Sequence, residues 1–147
     1  MSETNPIILY IQILVPCVTF ILGTIMTKNR IVYSEKSQLL KDTAMKIDRL
    51  QALTTEYWVN DYNYARASIL EASIRGAIFD LSILGEALKK NLGKTIYKSD
   101  YYPIFLKLIT SASGGTFETS DREPCKERAI ECIQYCCQMA SLLRQQR

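Results

Sequence analysis

The first strong pattern along the chain is an uninterrupted apolar run. Residues 7–27 read IILYIQILVPCVTFILGTIMT, without a charged side chain. About 21 residues make roughly 31 Å of helix, which matches a bilayer's hydrocarbon core. The run predicts a transmembrane helix behind a short non-cytosolic N-terminus, residues 1–6. The leader MSETNP has Glu3 as its one charge, and the apolar run exceeds the length of a cleaved signal peptide, so the expectation is a permanent anchor. Pro16 removes a backbone donor and favours a kink. Thr19 and Gly23, four apart, are small enough to let another helix approach, and Gln12 offers a hydrogen bond across a helix pair.

The pattern then becomes amphipathic with helical period. Over residues 31–59, Leu40, Ala44, Ile47, Leu50, Leu53 and Tyr57 recur at steps of three or four, with charges mostly between them. No Gly or Pro interrupts the passage from the leading run, so the two helices can join, with Asn29 the expected break. Asn60-Asp61 punctuates the chain, and a second long helix is expected from about Tyr62 to Asn91. It shows two apolar lines, one through Ala65, Ile69, Ser73, Gly76, Asp80, Ile83 and Ala87, the other through Leu70, Ile74, Ala77, Leu81, Leu84 and Leu88. Two such faces predict a central helix with neighbours on both sides. Glu71 and Arg75 are placed to pair along it, and with Asp80 they argue against a second span.

Gly93 follows as a helix stop, residues 94–100 read as a connector, and Pro103 suits the first turn of a shorter helix to about Ala112. Ser113-Gly114-Gly115 ends that helix. Ser120 with Glu123 forms a capping-box pattern, predicting a last helix over residues 121–145. Its apolar line is Cys125, Ala129, Cys132, Ile133, Cys136, Met139, Ala140 and Leu143. With no strand pattern in competition, the predicted fold is all-α: a single N-terminal transmembrane helix followed by a cytosolic four-helix bundle over residues 28–147.

Charge adds an orientation. Lys28, Arg30 and Lys36 follow the run, and the positive-inside rule puts that side in the cytosol, of an inner membrane if the source is bacterial. The net charge of +3 in 147 residues is too small and too scattered for a nucleic-acid surface. The partners expected are a lipid bilayer and a protein, which includes self-association.

The chain contains no His, which excludes Ser-His-Asp, Cys-His and HExxH chemistry, and it lacks phosphate-binding glycine motifs. No cofactor is implied and an enzyme is not expected. Of five Cys, Cys132 and Cys136 share a helix face at a spacing able to hold half of a metal site, yet read more simply as small core residues. Adjacent Cys137 falls off the core line and is the redox candidate. Asp80 on a core line needs a partner such as Arg66, Lys107 or a Tyr hydroxyl. Tyr57, Trp58, Tyr62 and Tyr64 cluster around one turn, and Tyr101 and Tyr102 near the next; these aromatics and Asp80 are the interaction candidates, with plugging of the bundle ends as the plain reading.

The functional expectation is a membrane-anchored, non-enzymatic interaction or regulatory module. The alternatives are a membrane-perturbing effector of the toxin, phage-defence or superinfection-exclusion kind, whose leading helix assembles on triggering, and a Cys-based metal or redox sensor.

Overall fold

A computed structural model of the chain describes residues 6–61, 63–120 and 122–146, with side chains for all of these except 6–13 and 94. Every described element is helical: α1 (Pro6–Val59), α2 (Tyr64–Leu92), the single turn α3 (Lys94–Ile96), a π-helix (Tyr97–Tyr101), α4 (Tyr102–Ser113) and α5 (Lys126–Gln145). The chain divides between Ser37 and Gln38 into two compact units.

In the first unit, Asn29 lies inside α1, so the expected break is not made there. Thr19, Thr24 and Thr27 each donate their hydroxyl to the carbonyl four residues back, at 2.8 Å. Among the described residues no helix is long and apolar enough to cross a membrane. Lys28 and Arg30 follow the apolar stretch in the same helix, and charged side chains are costly in hydrocarbon. This overturns the expected transmembrane span at residues 7–27 and, with it, the single-pass placement with a cytosolic domain. Residues 1–5 of the expected outer segment lie outside the described residues.

The second unit is a helical bundle. Leu40, Thr43, Ile47, Leu50, Thr54 and Tyr57 of α1 are buried at alternating steps of three and four, and Ala129, Cys132, Cys136, Met139 and Leu143 of α5 repeat that rhythm. A seam of period 3.5 keeps one stripe facing the neighbouring helices. Thr43 and Thr54 enter the core because their hydroxyls bond to the carbonyls of Leu39 and Leu50. In α2, Ile74, Ala77, Leu81 and Leu88 are buried as expected, but Ile69, Gly76 and Ile83 are exposed. The line through Ala65, Ile69, Gly76 and Ile83 therefore faces outward, and α2 buries one face rather than two.

Local signals explain most helix ends. Asn63 caps α2, its side-chain oxygen accepting the Arg66 N–H at 3.4 Å, and Gly93 at φ +82 ends it in a conformation that disfavours a side chain. Pro103 sits in the first turn of α4. The expected connector at residues 94–100 is instead helical. Tyr97 and Tyr101 are buried there and stacked, with ring centroids 5.3 Å apart, and Tyr101 stacks on Phe105 at 5.9 Å. Burying three rings spaced by four residues stabilises a helical turn that the local sequence does not announce. α5 begins at Lys126, later than its capping-box pattern suggests. The Cys125 N–H donates to the Trp58 carbonyl at 2.7 Å, holding the preceding segment out of the helix.

Candidate interaction surface

Two features of the fold bear on function. The first lies in the unit before Gln38. Eleven large apolar side chains of residues 14–33 are 45–76% exposed. A surface helix normally turns one apolar stripe inward and polar residues outward; here Val18, Leu22, Ile25 and Met26 share one broad arc of the helix while Phe20 and Ile31 lie on the far side, all of them exposed. An open groove of about 720 Å³ follows one face between Phe20 and Glu35, passing Gly23, Thr24, Thr27 and Ile31. A Cβ placed on Gly23 would meet nothing within 4 Å, so this floor is open to an approaching backbone.

The second feature is a polar and aromatic corner of the bundle. The Tyr57 hydroxyl donates to Glu71 Oε1 at 2.9 Å and accepts the Glu118 N–H at 3.1 Å. Glu118 also pairs with Arg75, and it holds φ +66, a conformation uncommon outside glycine. The Arg122 guanidinium lies 4.2 Å from the Tyr57 ring centre and donates Nη2 to the Asn60 carbonyl at 3.1 Å. Trp58 donates Nε1 to the Ala112 carbonyl at 3.2 Å, while the Arg128 guanidinium lies 5.0 Å from its ring centre and donates to the Gly114 carbonyl at 2.8 Å. Carbonyls at the ends of α1 and α4 are thus satisfied from α5, from the segment before it and, for Ala112, from Trp58 of α1. Burial pushes the Tyr57 hydroxyl up to about 12, helped by the adjacent Glu71 carboxylate.

This geometry places the sequence candidates. Tyr57, Trp58 and Tyr101 are in the core, where no partner can touch them. Tyr64 is 79% exposed and Tyr102 is 44% exposed. Tyr62 lies outside the described residues. Asp80 is half-exposed rather than buried, and its partner is Lys46 at 2.5 Å, not Arg66, Lys107 or a tyrosine. Arg66 instead pairs with Glu56 at 2.5 Å, and Glu71 turns to Tyr57 rather than to Arg75. Tyr97 presses on Gly85, whose Cβ would lie 3.2 Å from the tyrosine oxygen. Burial raises the pKa of both Tyr97 and Tyr101.

Cys132 and Cys136 are buried, and Cys137 is exposed. The Cys132 thiol meets the Ser111 hydroxyl at 3.5 Å, and Cys136 meets the Ile47 carbonyl at 3.9 Å. Burial raises both thiols, Cys136 to about 12, so neither ionises near neutral pH to bind metal or attack an electrophile. Among the described residues no group of three or more His, Cys, Asp or Glu side chains is arranged to hold a metal ion.

Compared with known proteins, the chain matches no family model, no curated protein and no solved structure. The corner around Arg122 and Glu118 was invisible in the sequence, since both residues lie in a polar loop and only tertiary contact reveals their roles. Of the groove's lining, Gly23 was singled out by the sequence, paired there with Thr19 as small enough to let another helix approach.

Proposed function

We propose that the protein is a non-enzymatic interaction module. Its bundle unit, read as a four-helix arrangement of the later part of α1 with α2, α4 and α5, is the stable body, and α1 before Gln38 carries the contact surface. The observation that supports this reading is the exposure of so many large apolar side chains on one helical segment. Scattered apolar residues need no explanation, but a contiguous patch marks a surface made to be covered. The chemistry of the chain agrees: it has no His, and its two core thiols are raised away from reactivity by burial. A photo-activated cross-linker placed at Ile31 in the living cell tests the reading. The expected result is one or a few adducts of discrete mass, lost when Phe20 and Val32 are made polar. Absence of any adduct would refute it.

A further inference from the structure

We infer that the occupant of the α1 groove is a second copy of this chain, aligned parallel and in register; this rests on the interaction reading above and names its partner. The groove fits a helix. It follows one face of α1 from Phe20 to Glu35, with Phe20, Ile31 and Val32 of the exposed apolar side chains in its lining.

The pattern fits as well. Cys17, Phe20, Thr24, Thr27 and Ile31 recur at steps of three, four, three and four, the seam of a two-helix supercoil. The polar members of that seam carry no unmet donor, because Thr24 and Thr27 bond to the carbonyls of Phe20 and Gly23, both at 2.8 Å. Their methyl groups and the bare Gly23 leave room for a neighbouring helix.

Charge sets the direction. Arg30 and Glu35 are exposed, flank the seam and stand five residues apart. In a parallel in-register pair, a residue preceding the first seam position meets the residue five further along the other helix. Arg30 of each copy then faces Glu35 of the other, twice by symmetry. An antiparallel pair matches flanking positions of the same kind with one another and makes neither contact.

Cys17, exposed and on the seam, supplies the test. The full chain carrying Cys125→Ser and Cys137→Ser is purified and oxidised with copper phenanthroline. Each new disulfide releases two protons and passes two electrons to the oxidant. The expected result is a Cys17-linked dimer on a non-reducing gel, with sedimentation mass of at least two copies before oxidation. Thr27→Glu, in the same background and with helix content checked by circular dichroism, should abolish the cross-link and halve the mass or more. Cross-linking of Cys17 to a cysteine placed at Ser34, with no Cys17–Cys17 product, would overturn the parallel register. A monomer with no cross-link would overturn self-association. If the cellular Ile31 adduct then contains a different protein, the interaction reading stands without this partner; if there is no adduct, both fail.

Discussion

Replacing Tyr57 by Phe removes one oxygen and keeps the ring. The ring contacts with Trp58 at 5.0 Å and Phe117 at 5.1 Å remain, as does the Arg122 guanidinium above it. Two hydrogen bonds disappear, one to the buried Glu71 carboxylate and one from the Glu118 N–H. A bond to a charged group contributes about 1.5–3 kcal/mol, and the bond from the partly buried amide adds up to about 1 kcal/mol. The expected loss is therefore about 2–3 kcal/mol, a large share of a domain's usual 5–15 kcal/mol. For a unit of this size the melting midpoint falls by roughly 8–15 °C.

The pH dependence supplies a second reading of the same bond. The folded state raises the hydroxyl from its ordinary value of 10.0 to about 12, so it favours the protonated form. That contribution is fully present below pH 10 and is lost as the pH rises toward 12. The wild type loses it over that interval and the Phe variant has none to lose, so the stability gap between them narrows. The raised Tyr97 and Tyr101 are common to both proteins and cancel in the difference. Urea denaturation followed by circular dichroism at pH 7, 10 and 11.5 measures the gap. A gap below about 0.5 kcal/mol at pH 7, or one that stays constant to pH 11.5, would refute the account.

Gly115 holds φ +67, and a Cβ there meets the Arg128 guanidinium, so Gly115→Ala should cost about 1–3 kcal/mol in denaturant titration, while alanine at open Gly76 should change little. Thiol labelling of the native protein should modify Cys17 and Cys137 first and Cys132 and Cys136 only after unfolding, read by mass spectrometry of quenched samples. Asp80→Asn should shift stability by less than about 1 kcal/mol, because the Lys46 pair is half-exposed and solvent screens it. Leu108→Ala, deleting a fully buried side chain at the α4 contact, should cost about 2–5 kcal/mol in the same titration.

The bundle was legible where one physical influence acted alone. The α5 line from Ala129 to Leu143 is a repeating stripe with no competitor, and Pro103 can begin a helix but not continue one. Legibility failed where tertiary contact outweighed a local signal. Ser120 and Glu123 spell a helix start, yet the backbone bond from Cys125 to Trp58 delays α5 to Lys126. Residues 94–101 look like a connector until the Tyr97, Tyr101 and Phe105 rings stack. On α2, apolar residues such as Ile69 and Ile83 mimicked a second buried face. Asp80 was assigned to that face and sits instead at its edge, beside a lysine from a distant stretch of α1. For the contact surface, the small residues around Gly23 were readable, but their openness was not.

Trp58 is the single indole of the chain, and it is fully buried between Ala112, Arg128 and the Tyr57 ring. Its emission should be blue-shifted in the native protein and should respond to the loop at residues 114–125 before the helices separate. Without any added dye, the molecule thus carries an optical gauge for one corner, able to distinguish a local loosening there from global melting.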